Sequence, residues 1–205
     1  MKESFFNIKL KLLSKGKILK VTSNIGRSGT DKVELNKEFQ KNLGDKGLLQ
    51  KDLYEIGQRV AYRIAQNIYE KKKPDGSRQQ RNSDEWIKAK GFDHPVLETG
   101  KLLQSIKAVK DGGNVIVRIA ETSYPMRTSK RKNIKNRVLT TYTKPTTARP
   151  KVKQVAKWLH EKGYTFFGVK KGFYKEAIRD TVLKRLAGKT SKNDGFGKPF
   201  SKLSS

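Results

Sequence analysis

Cysteine is absent from the 205 residues, which removes disulfide frameworks, thiolate metal sites and cysteine redox chemistry together. Histidine is almost absent as well. The two, His94 beside a proline and His160 near a predicted helix end, do not show the i, i+4 spacing of a helical zinc site. No window approaches the roughly 18 apolar residues of a membrane span, and Met1–Phe6 never develops the apolar core of a signal segment. No membrane partner is expected, and synthesis in the cytoplasm is.

The groupings that catalysis needs are also missing. Gly112-Gly113 and the pair Gly195 and Gly197 follow neither a phosphate-loop nor a dinucleotide pattern. Glu98 and Lys101 offer a carboxylate and an amine, but no aspartate on a clear upstream strand completes a nuclease ligand set. The expectation is a protein that is not an enzyme, with no catalytic residue, cofactor or metal.

Positive charge is what the sequence has in excess. Lys and Arg number 47 against 19 Asp and Glu, a formal charge of +28, and such self-repulsion favours an anionic partner. Hydrophobic residues make up 34% of the chain and the mean hydropathy is −0.78. That supports one modest core together with long segments that are solvated or covered by partners. No repeat of solenoid length is visible.

Along the chain, Phe6, Ile8, Leu10 and Leu12 alternate with Asn7, Lys9 and Lys11, the period of a half-buried strand. A turn at Ser14–Lys17 and the run Ile18–Val21 predict a hairpin over 1–22, added to the core sheet. Residues 23–50, rich in Gly, Asn, Ser and Lys, read as a loop or arm. Leu53, Ile56, Val60, Ile64 and Ile68 then predict a long amphipathic helix from Asp52 to Lys72, with Asp52 and Glu55 placed as a capping box. Ile106–Val109 and Val115–Ala120 around Asp111-Gly112-Gly113-Asn114 predict a β-hairpin. Arg127, Lys130, Arg131, Lys132, Lys135 and Arg137 crowd a basic loop over 127–137, the expected contact for DNA or another anionic partner. Pro150 is placed to open a helix that Gly163 stops. Phe173, Tyr174, Ala177, Ile178, Val182 and Leu186 predict a closing helix, and 187–205 reads as a flexible basic tail. The whole is an α+β fold: a small antiparallel sheet packed by a long amphipathic helix and a C-terminal helix, in a core spanning 51–186 with extended N-terminal and C-terminal arms.

The stretch "HPVLETGKLLQSI", His94–Ile106, is the most particular in the sequence. Pro95, Leu97, Glu98, Thr99, Gly100, Leu102, Ser105 and Ile106 resemble the proline-hydrophobic-x-acid-Thr-Gly-x-Leu-x-x-Ser-Ile signature of tailed-phage virion-morphogenesis proteins, the head-tail connector, tail-completion and tail-terminator group. Physically, Glu98 or Thr99 could cap a turn near Gly100, while Leu102, Leu103 and Ile106 pin a short helix to a sheet. The similarity covers about Asp52 to Leu186. It departs after the hairpin, where Tyr124-Pro125 leads into the basic loop, and at Ala148-Arg149-Pro150, which precedes the penultimate helix rather than the last.

The resemblance implies a structural virion protein in the neck or at the top of the tail. It would form a ring of six or twelve copies with itself and join portal or adaptor to tail proteins, with packaged DNA as a further contact through backbone electrostatics. The alternative carried by charge alone is a sequence-nonspecific nucleic-acid-binding protein of the ribosome- or nucleoid-associated kind. A small phage nuclease is the weakest reading.

Overall fold

A computed structural model describes residues 6–25, 29–91, 93–94, 96, 100–120 and 151–188. The alternating N-terminal residues form β1 (Asn7–Leu13), followed by β2 (Ile18–Ser23) and β3 (Gly29–Glu34); the later hairpin supplies β4 (Ile106–Asp111) and β5 (Asn114–Ile119). All five join one antiparallel sheet of order β3-β2-β1-β5-β4. The N-terminal hairpin thus joins the core sheet as expected, through β1 against β5, and β1 lies at the sheet's centre. Removing β1 would separate β2 from β5.

Residues 23–50, expected as a loop or arm, instead carry β3, the helix α1 (Lys37–Leu43) and a tight turn at Gly44–Lys46. Asn36 caps α1 by accepting the Glu38 amide at 2.6 Å, which satisfies one of its open N–H groups. Val33, Leu35, Leu43 and Leu48 from this stretch are buried.

Helix α2 (Gln50–Tyr69) lies across the sheet. Its predicted stripe, Leu53, Ile56, Val60, Ile64 and Ile68, is fully buried, each such side chain contributing about 1.5–3 kcal/mol relative to exposure. Gly57 permits the close crossing: a β-carbon there would lie 2.6 Å from Val115 Cγ1, 3.3 Å from Ala108 Cβ and 3.7 Å from Leu10 Cδ1.

The predicted capping box is corrected. The helix starts two residues earlier than expected, Leu49 is its N-cap, and Asp52 is in the first turn. There its carboxylate accepts the Leu49 amide at 2.7 Å. Glu55 does not reach back but pairs with Arg59 and Lys184.

Short helices α3 (Asp84–Lys90) and α4 (Lys101–Ser105) precede β4, and α5 (Val152–Glu161) and α6 (Gly172–Leu186) follow β5. Ser83 caps α3 through the Trp86 amide, and α5, with Lys151 as its N-cap, starts at Val152, two residues beyond the opening expected at Pro150. Helix α6 packs on α2 and buries Tyr174, Ala177, Ile178 and Val182 as predicted, but Leu186 and Leu183 are 47% and 51% exposed.

At the far end of α6, Arg185 donates to Asp52 at 2.7 Å and to the Gly47 carbonyl at 3.0 Å. The same corner receives the β1–β2 turn, where Leu48 N donates to the Gly16 carbonyl at 3.0 Å. Gly16 has φ +80° and an added β-carbon would lie 2.3 Å from the Leu48 carbonyl oxygen, so only glycine fits.

Between α5 and α6 an irregular segment turns three aromatic side chains inward. Tyr164, Phe166 and Phe167 join the core, with the Phe6 ring tilted against Phe166 and Phe167 at centroid distances of 5.7 Å and 5.5 Å. Tyr164 donates its hydroxyl to Asn82 at 3.2 Å, and Gln79 and Gln80 bind the carbonyls of Thr165 and Lys162. The result is an α+β fold with one face of the sheet under α2.

Candidate functional site: the motif segment and the basic face of the sheet

Within the motif, Pro95, Leu97, Glu98 and Thr99 lie outside the described residues, so the cap expected from Glu98 or Thr99 has no geometry to report. Gly100 is itself the N-cap of α4, with φ +72°, a left-handed conformation that favours glycine. Leu102, Leu103 and Ile106 are buried. Ser105, also buried, donates its hydroxyl to the Leu102 carbonyl at 2.7 Å, while its own carbonyl accepts the Ala120 amide at 2.7 Å. These groups turn the chain from helix into β4 and tie it to the end of β5.

The residues just before the motif anchor it to the C-terminal end of α2. His94 is buried, with Nε2 3.1 Å from the Tyr69 carbonyl oxygen, and Lys71 donates to the Asp93 carbonyl. Beside them Glu70 accepts from Lys72 at 2.7 Å. That contact, with a second from Gln66, holds the Glu70 carboxyl below its usual range. His160 meets the edge of Phe6 at 6.0 Å. Both histidines are thus packed into the fold.

The six residues expected to meet an anionic partner, Arg127, Lys130, Arg131, Lys132, Lys135 and Arg137, lie outside the described residues. The structure brings together a different cationic group. Because side chains alternate along strands, the face of the sheet opposite α2 carries Lys9, Lys11, Lys20, Lys32, Lys107 and Arg118. Register places Lys32 opposite Lys20 and Lys20 opposite Lys11, one row across three strands, and Lys107 opposite Arg118. Five of the six are exposed and Lys20 is half-buried.

Acids on this face are confined to Glu34 and Asp111, at the ends of the two edge strands. Among the described residues none of the six cations forms an ion pair. Like charges directly opposite on neighbouring strands are destabilising, so the row is a standing electrostatic cost. Alternation along β1 places Lys9 and Lys11 on a polar face, but the row itself is not visible in the sequence. Lysine at the outward positions of β2 and β3 is the available signal, and it needs the pairing of the strands to acquire meaning.

Lys162 lies 5.9 Å over Trp158, whereas Tyr164 is buried and hydrogen-bonded to Asn82, so it offers no stacking surface. A small groove between α2 and α6, about 150 Å³, is lined by Arg59, Tyr62, Arg63, Phe173 and Asp180. Arg63 covers the Phe173 ring and Arg59 pairs with Asp180, so its charges already serve the helix packing. Among the described residues no three His, Asp or Glu side chains gather as a metal site, and no helix is long and apolar enough to cross a membrane. No family model, curated protein or solved structure matches the chain.

Proposed function

We propose that the chain is a structural protein of a tailed-phage virion, without enzymatic activity, forming a ring of six or twelve copies in the neck or at the top of the tail, where it joins portal or adaptor to tail. The observation that carries this reading is the setting of the motif. A long helix precedes it, its Leu102, Ser105 and Ile106 pin the turn into β4, a two-stranded hairpin follows, and α6 closes on the long helix. That is the order of elements which the resemblance implies.

Two further features support assembly. The sheet ends in unlike strands, β3 and β4, and a head-to-tail contact between unlike surfaces closes into a ring when its rotation permits. Leu183 and Leu186 also present exposed apolar side chains one helical turn apart on α6, a place for a neighbouring subunit to cover.

Negative-stain imaging of the purified chain, alone and after mixing with virion extract, tests the proposal. Rings, or labelling of the particle neck, are the expected result. Monomers that retard DNA and ignore virions would transfer the function to sequence-nonspecific nucleic-acid binding.

A further inference from the structure

We infer that the face of the sheet which the described residues leave open docks the phosphate backbone of duplex nucleic acid, recognising charge and shape and not base sequence. The Lys32–Lys20–Lys11 row crosses three strands, about 10 Å at the usual strand spacing, and Lys9 stands about 7 Å along β1 from Lys11. Lys107 and Arg118 extend the patch to the other edge of the sheet. A duplex offers one negative charge for about every 1.7 Å of its axis, a density that such a patch matches without fine positioning.

No ion pair among the described residues neutralises the row, and an anionic partner would do so. The longer stretches outside the described residues are themselves basic: 121–150 holds eight Lys and Arg against one Glu, and 189–205 holds four Lys against one Asp. Neither carries net negative charge to set against the row.

Composition of the face selects the kind of polyanion. Its outward residues, including Thr22, Thr30, Val109 and Ile116 between the cations, contain no Phe, Tyr or Trp. Single-stranded nucleic acid is held by stacking on aromatic rings, and protein interfaces are anchored by Trp, Tyr and Arg. This face supplies one arginine and no ring. Lysine ammonium groups and threonine hydroxyls suit phosphate oxygens, which position a duplex without reading it.

The inference stands independently of the ring. A monomer that binds duplex through this row would defeat the ring proposal and leave the docking surface intact; rings indifferent to duplex would do the reverse.

The test is fluorescence anisotropy with a mixed-sequence duplex over a range of salt, using the full chain. Replacing Lys11, Lys20 and Lys32 together by Gln should reduce the magnitude of the log-affinity against log-salt slope by about 3, near 0.9 for each phosphate no longer neutralised. The same change at exposed Lys88, Lys157 and Lys175, away from the sheet, should alter it by less than about 1. Lys20→Glu supplies a second readout: it places a carboxylate between Lys11 and Lys32, so the urea midpoint should rise while duplex affinity falls. Equal slope losses in the two triple variants would reduce the effect to diffuse charge and overturn the inference. Displacement of the duplex by poly-glutamate as readily as by unlabelled duplex would make the partner an acidic protein and overturn it also.

Discussion

Gly57 offers a sharp test of how α2 sits on the sheet. In an exposed helix, Gly→Ala stabilises by about 1 kcal/mol. Here the new methyl would lie 2.6 Å from Val115 Cγ1 and 3.3 Å from Ala108 Cβ, and overpacking of a filled core costs about 1–3 kcal/mol. Since Val115 is fully buried and sits on a strand paired on both sides, it has little room to move. Gly57→Ala should therefore lower stability by about 1 kcal/mol net. Val115→Ala alone should cost about 2 kcal/mol through reduced burial and the cavity left behind. In that background the Gly57 substitution should become favourable, because the methyl enters vacated space and the propensity gain remains. The double-mutant cycle, read from urea unfolding, should give a favourable coupling of about 2 kcal/mol between the two changes. A Gly57→Ala variant stabilised by about 1 kcal/mol in the unaltered chain would refute the close crossing.

Other consequences can be measured with the same protein. Asp52→Ala strips the Leu49 amide of its acceptor and leaves Arg185 without its carboxylate; a loss of about 2–4 kcal/mol is expected in urea unfolding, and a loss below about 0.5 kcal/mol would contradict the link between α2 and α6. Burial, with the Asp31 carboxylate adding to it, pushes the Tyr174 phenol above its ordinary range. Its folded pKa exceeds its unfolded value of about 10, so its contribution is complete below about pH 10 and is lost as pH rises further. The urea midpoint should fall above about pH 10, and Tyr174→Phe should flatten that fall; identical profiles for the two chains would reject the assignment. Leu183→Ser with Leu186→Ser should change monomer stability by less than about 1 kcal/mol yet weaken self-association seen by sedimentation. Unchanged assembly would remove α6 from the proposed subunit contact.

Periodicity makes part of this fold legible. The α2 stripe and the β4–β5 hairpin are readable because their buried residues repeat at the helical and strand periods and their turn carries glycine. β3 is not readable: of Gly29–Glu34 only Val33 is buried, so an edge strand defined by pairing with β2 leaves almost no local pattern. Tyr164, Phe166 and Phe167 escape for a related reason, since an irregular segment can fill a core without any period. The motif's Leu102, Leu103 and Ile106 are the pins that their spacing suggests. Its serine works through both its hydroxyl and its carbonyl, a role for which spacing gives no sign. The lysine row depends on register between strands distant in sequence or separated by turns, so composition announces the charge but not where it is concentrated.

The virion role is tested most directly by quantitative mass spectrometry of purified particles, counting copies of this chain against the portal protein. Six or twelve copies per virion are expected for a ring in the neck or at the top of the tail. Particles that are complete and infectious but carry none would contradict it.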